Sequence, residues 1–250
     1  MPKKLKSRDL IQVVDLTYDD KSEAPRQLTK KRKIEKLEDW EEAGPSDDRK
    51  FLQGHERKIE KDDHNELFAV CLKDFYLTHD TKGQDCVGLY LDAGGARTTL
   101  TLAKHLSKEQ MKQMCANTFG RDYKQMCNTI TDAGIECYME NEDIHEKVHE
   151  ERGIENKGRP MCMYLDFCGM WTQKTQEVFR NALKYYCFNG SYCGVTLCLT
   201  KRKPQYPSDP NIILIDMLEI ASLHGRRLEI VHSKTYGKNP EMFFIMFRVI

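Results

Sequence analysis

Two carboxylates stand where apolar runs stop and turn residues begin. Asp92 follows the run Val87–Leu91 and opens the turn Asp92-Ala93-Gly94-Gly95. Asp166 lies near the end of the run Met161–Phe167 and is followed by Phe167-Cys168-Gly169-Met170-Trp171. A carboxylate at the end of a buried strand needs partners, water or a ligand, because burying an unpaired charge is costly. Gly94 and Gly95 permit positive φ and let a ligand approach the backbone, or they serve only a tight strand-to-helix turn. Asp92 and Asp166 each have a plainer reading as a cap on the helix that follows. Asn117, at the end of Gln113–Asn117, offers a donor and an acceptor without charge. Trp171 presents a flat surface on which a flat substrate could stack. Arg97-Thr98-Thr99 opens a helix, whose N-terminus can hold a phosphate. His145-Glu146-Lys147-Val148-His149 satisfies the His-Glu-x-x-His pattern of zinc proteases. That chemistry needs a third ligand and an apolar helix, whereas Glu140–Gly158 is strongly polar and suits a solvated face. No metal is therefore expected.

The elements that must position these residues alternate. Strands are expected at Val87–Leu91, Gln113–Asn117, Ile135–Met139, Met161–Phe167 and Tyr192–Leu199. Helices are expected at Arg97–His105, Tyr123–Ala133 closed by Gly134, Asp143–Glu151, Gln173–Tyr186 and Ile212–Leu223 ending at Gly225. Glu66–Leu77 leads into the domain. Strand–helix alternation argues for a Rossmann-like α/β domain, with a mostly parallel sheet covered on both faces. Arg227–Ser233 and Met242–Val249 differ in kind. The connection Thr235–Pro240 is too short for a parallel crossover, so they should form a C-terminal antiparallel hairpin.

Five strand–helix units followed by a terminal antiparallel hairpin resemble the class I S-adenosylmethionine-dependent methyltransferase fold, across residues 86–250. The resemblance implies that the first and fourth strands are neighbours, with Asp92 and Asp166 at the crevice where such sheets bind ligands. It implies S-adenosylmethionine as cofactor, held by Asp92, Gly94, Gly95 and Asn117, with Asp166 as the catalytic residue beside the acceptor. The pattern departs from the family's three-glycine spacing, Arg97 stands where a small residue is common, and Asn117 replaces a ribose-holding acid. Some family members that modify C5 of cytosine use a cysteine after the fourth strand. Here Cys168 lacks the preceding proline and reads more simply as a small buried thiol. Two functions follow: a methyltransferase-like protein, or a catalytically inert Rossmann-like scaffold.

Residues 1–66 differ in composition, with 16 Lys/Arg and 17 Asp/Glu. Such a segment buries too little apolar surface to offset its ordering entropy and is expected to be a disordered tail, ahead of a domain at 67–250. Its one apolar patch is Ile11-Gln12-Val13-Val14-Asp15-Leu16-Thr17-Tyr18-Asp19-Asp20. It resembles a SUMO-interacting motif, which adds a strand to the edge of the modifier's sheet. Ile11, Val13, Val14 and Leu16 would anchor it, and Asp15, Asp19 and Asp20 would steer it toward a basic rim. The alternatives are a chance β-prone stretch or a strand added to the protein's own sheet. Lys30-Lys31-Arg32-Lys33 resembles a nuclear localisation signal read by an import receptor. The expected partners are SUMO or SUMO-modified proteins and that receptor. The expected compartment is the nucleus, or a host nucleus for a viral protein. Nucleic acid remains a candidate substrate, with Lys201-Arg202-Lys203 the best local phosphate contact, although the domain shows no dominant basic stripe. No run of 18 apolar residues is present, so no membrane partner is expected. Met1–Gln12 has no apolar core of signal-peptide length. Ten cysteines with no Cys-x-x-Cys pair read as reduced thiols in an intracellular protein.

Overall fold

The computed structural model describes residues 55–149, 151–152, 159–167, 169–199, 205–237 and 240–250. The SUMO-type motif, the Lys30–Lys33 cluster, Cys168 and Lys201–Lys203 lie outside them. In chain order the elements are α1 (His55–Thr78), β1 (Gly88–Leu91), α2 (Arg97–His105), α3 (Lys108–Met111), β2 (Met114–Thr118), α4 (Asp122–Asp132), β3 (Tyr138–Asn141) and α5 (Ile144–Lys147). There follow β4 (Cys162–Asp166), α6 (Gln173–Asn181) with a π-helical turn (Ala182–Tyr186), β5 (Tyr192–Cys198), α7 (Pro210–Leu223), β6 (Leu228–Tyr236) and β7 (Met242–Val249).

The seven strands form one sheet in the order β3-β2-β1-β4-β5-β7-β6. The first five are parallel, and β7 runs antiparallel to both β5 and β6. Sequence order reverses between β1 and β4, where Gly88, Leu89 and Tyr90 pair with Cys162, Met163 and Tyr164. This Rossmann-like sheet with its C-terminal antiparallel pair is the architecture expected from the sequence.

Side chains alternate across the sheet and feed two apolar layers. Met163 and Leu165 of β4, with Phe243, Ile245 and Phe247 of β7, pack under Trp171, Phe179, Leu183 and Met217. Cys162 and Tyr164, with Phe244 and Met246, pack under Phe68, Leu72, Phe75, Leu102 and Met126. Burial on both faces is why these strands read as near-continuous apolar runs rather than as alternating ones. The positive φ of 65° at Gly134 and at Gly225 ends α4 and α7. After each glycine the chain folds back, with Ile135 N–H donating to Ile130 O (3.2 Å) and Arg226 N–H to Ala221 O (2.9 Å).

Three boundaries need correction. The expected division at residue 66 falls inside α1, which begins at His55 and already buries His64 and Asn65. The third strand starts at Tyr138, not Ile135, because Ile135 completes the cap of α4. The expected helix at Asp143–Glu151 is interrupted. Asp143 caps α5 by accepting from His145 N–H (2.9 Å), and Val148 then leaves helical geometry at φ −101°, ψ 49° to enter the core.

Candidate functional site

Asp92 and Asp166 lie on the same face at the carboxyl ends of adjacent strands, each two residues beyond the Tyr90–Tyr164 pair. Their environments differ. The Asp92 carboxylate accepts four hydrogen bonds: from Ala93 N–H (3.1 Å), Thr98 N–H (3.4 Å), Thr99 N–H (3.0 Å) and the Thr99 hydroxyl (2.8 Å). Its cap position, Ala96, has no side-chain acceptor, so Asp92 closes the N-terminus of α2 from four residues earlier. Burial pushes the Asp92 carboxyl above its ordinary value, against the pull of these donors. The capping alternative raised by the sequence is what the geometry displays. It also removes the phosphate reading of Arg97-Thr98-Thr99: Asp92 takes the N–H groups of Thr98 and Thr99, and Arg97 pairs with Asp62.

The turn between Asp92 and α2 is tight. Ala96 sits at φ 46°, ψ 37°, a left-handed conformation that disfavours any side chain. Gly94 is the close approach. A Cβ there would stand 2.8 Å from the Gln125 side chain, and the Gly94 carbonyl accepts from Thr129 Oγ1 at 3.0 Å. Gly95 is exposed, and a Cβ on it would meet only Arg97 Cγ at 3.8 Å, so its backbone is open to a ligand.

Asn117, at the end of β2, is 1% exposed. Its Nδ2 donates to Glu142 O at 3.0 Å, which ties β2 to the turn after β3. Its Oδ1 is buried without a hydrogen-bond partner among the described residues. Asp166 is buried and forms an ion pair with Lys61 of α1. Beside that pair lies His64, 2% exposed, stacked on Phe244 at 3.8 Å. Desolvation by burial lowers the His64 imidazole to about 3, with Asp166 pulling the other way.

Two sequence candidates are absent from this site. Trp171 is fully buried on the opposite face, where its indole N–H donates to Asp216 Oδ2 at 2.6 Å, so it has no free ring face for a substrate. The His-Glu-x-x-His pattern is not carried on one helix, since α5 ends at Lys147. No group of three metal-ligating side chains suited to an ion occurs among the described residues. His145, Glu146, His149, Lys174 and Glu177 instead line an open cleft of about 440 Å³ on the Trp171 face. Sequence reasoning missed Lys61, His64 and Asn65, which it assigned to the tail. The signal was there in the spacing of His64, Phe68, Leu72 and Phe75 along one helical face.

No family model matches the sequence, and no curated protein matches it. Solved structures do resemble the fold. The N-methyltransferase NodS from Bradyrhizobium japonicum, crystallised with S-adenosyl-L-homocysteine, superposes with a TM-score of 0.52 at 13% identity, covering 82% of this chain and 93% of that one. TYW2 from Pyrococcus horikoshii, in complex with MeSAdo, gives 0.46 at 12% identity over 72% and 62% of the two chains. Fibrillarin from Methanococcus jannaschii gives 0.43 at 18% identity over 66% and 67%. The likeness to NodS shows the fold alone: a Rossmann-like α/β domain.

Proposed function

We propose that this is an S-adenosylmethionine-binding, methyltransferase-like protein of the nucleus, recruited by its N-terminal segment to SUMO-modified partners. The observation that carries the cofactor reading is Asn117 Oδ1, a buried acceptor with no partner among the described residues, at the end of β2. Leaving such an atom unpaired costs about 1–3 kcal/mol. A ribose hydroxyl is a donor of the right kind to satisfy it. The exposed Gly95 backbone and the β1–β4 switch point fit the same ligand. The ligand seen with NodS supports the reading.

In this arrangement Gly95 lies along the amino-acid portion of the cofactor, Asn117 holds the ribose and Asp166 faces the acceptor. Asp92 acts indirectly, fixing the turn through the cap on α2. When bound, the cofactor supplies an electrophilic methyl on a sulfonium. The chain's own contribution is to align an acceptor beside Asp166, since methyl transfer depends more on alignment than on a strong base. Nucleic acid is one candidate acceptor.

The proposed N-terminal contacts are Ile11, Val13, Val14, Asp15 and Leu16 with SUMO, and Lys30, Lys31, Arg32 and Lys33 with an import receptor. In a viral protein the compartment would be the host nucleus.

Calorimetric titration with S-adenosylmethionine and S-adenosylhomocysteine tests the cofactor reading. Binding is expected, and both Asn117→Leu and Gly95→Trp should abolish it. A flat titration and no thermal shift at roughly millimolar ligand, the weakest affinity worth pursuing, would sink it. Three observations favour the second reading, an inert scaffold: Asp92 is spent on capping, Ala96 sits where glycine would relax the turn, and Lys61 occupies Asp166. That reading predicts no adenosyl-ligand binding with recruitment to SUMO intact.

A further inference from the structure

Along its length α1 changes character. From Phe68 onward its inner face is apolar, with Phe68, Leu72 and Phe75 fully buried. The two turns before that are tied down by charge. Glu60 pairs with Lys234 on β6, Lys61 with Asp166 on β4 and Asp62 with Arg97 on α2, while Glu66 is hydrogen-bonded to His105 on α2. Beneath these turns lie His64 and Asn65, 2% and 0% exposed. Both ring nitrogens of His64, and Nδ2 of Asn65, lack hydrogen-bond partners among the described residues. Either imidazole tautomer carries an N–H, so at least one donor and one acceptor stay unpaired on that ring. The segment is thus seated by exchangeable ion pairs over polar atoms that its seating does not satisfy.

Asp166 decides what can exchange. Its carboxylate is 4% exposed, and a buried carboxylate left without a cation is strongly destabilising. Whatever displaces Lys61 must bring positive charge. We propose that Asp166 is a subsite for a cationic group of the ligand, an ammonium or protonated amine, and that Lys61 is its intramolecular competitor, leaving with the first turns of α1 as the ligand enters. The inference rests on the adenosyl-ligand reading of the crevice and adds the charge of the group that faces Asp166. As Lys61 withdraws, His64 and Asn65 become available to donors and acceptors of the ligand.

Two ligands with one frame separate these ideas. S-adenosylhomocysteine has an uncharged thioether at the reacting position, and sinefungin carries an ammonium there. Titrating both into the full-length wild type, Lys61→Met and Asp166→Asn gives the ratio of their affinities. Lys61→Met should raise the preference for sinefungin by roughly tenfold or more, and Asp166→Asn should erase it. A second measurement needs no variant. Lys61 is paired and its side chain is 19% exposed, so acetic anhydride should label it slowly in the free protein. Sinefungin should accelerate that labelling, read by peptide mass spectrometry, and S-adenosylhomocysteine should not. Binding of S-adenosylhomocysteine with an unchanged ratio and unchanged Lys61 labelling overturns the proposal alone. No binding of either ligand to any variant overturns the adenosyl reading and the proposal with it.

Discussion

Lowering the pH from about 7 to about 5 should cost this fold roughly 2 kcal/mol through one side chain, His64. The ring is stacked on Phe244 at 3.8 Å and meets Tyr236 edge-on at 4.8 Å. Burial lowers its pKa from 6.5 to about 3, opposed by Asp166 and reinforced by His232, Lys234 and Lys61. A base whose folded pKa is depressed binds more protons when unfolded. Its contribution is therefore complete above 6.5 and is lost as the pH falls toward about 3. At pH 5 the unfolded imidazole is almost fully protonated while the folded one is neutral, which gives the figure of about 2 kcal/mol. Urea unfolding of the wild type and His64→Phe at both pH values isolates the effect. Burial also lowers His145, His224 and His232, and comparing the two proteins cancels what they contribute. The wild type should lose about 2 kcal/mol more than the variant on acidification, or roughly 4–8 °C in thermal midpoint. At pH 7 the phenylalanine protein should be at least as stable, because two unpaired ring nitrogens are gone. Equal losses in the two proteins would refute the reasoning.

Three further outcomes are expected. Asp92→Ala removes four hydrogen bonds, three of them from Thr98 and Thr99 at the start of α2, and should destabilise the domain by about 2–4 kcal/mol in urea unfolding. A midpoint within error of the wild type would mean that the carboxylate does not cap the helix. A peptide spanning Leu10–Asp20 should shift the NMR resonances of SUMO along its exposed strand edge, and Val13→Ala with Val14→Ala should remove the shifts, each truncation losing roughly 1–2 kcal/mol of apolar burial. Alanine at Lys30, Lys31, Arg32 and Lys33 should move a large fluorescent fusion out of the nucleus, and unchanged nuclear signal would reduce the cluster to ordinary charge.

Legibility in the sequence followed the range of the interactions. Arg97–His105 and Met242–Val249 were read to the residue, because their limits are set by local turn residues and apolar pattern. Gly134 and Gly225 announced the ends of two helices for the same reason. The start of α1 was hidden because Glu60, Lys61, Asp62, Asp63 and Glu66 look like more of the charged segment before them. What distinguishes them is distant: Lys234 lies 174 residues from its partner Glu60, and Arg97 lies 35 from Asp62. Trp171 misled in the same way. Its aromatic ring after β4 suggested a stacking surface, while its actual partner, Asp216, is 45 residues further on. At Asp92 both roles were on the table, and only the left-handed turn at Ala96 shows why the acid is drawn back to cap α2.

The place of β7 bears on how the chain assembles. Although it is the last strand in chain order, it is an interior strand, hydrogen-bonded to β5 on one side and β6 on the other. During synthesis β5 can pair with β4 as soon as it emerges, whereas β6 has no ladder to join until Met242–Val249 follows it. Deleting Met242–Val249 would remove the strand that joins β6 to the rest of the sheet, not a dispensable fringe. It would bare one edge of β5 and leave β6 with no partner strand, and such edges invite aggregation.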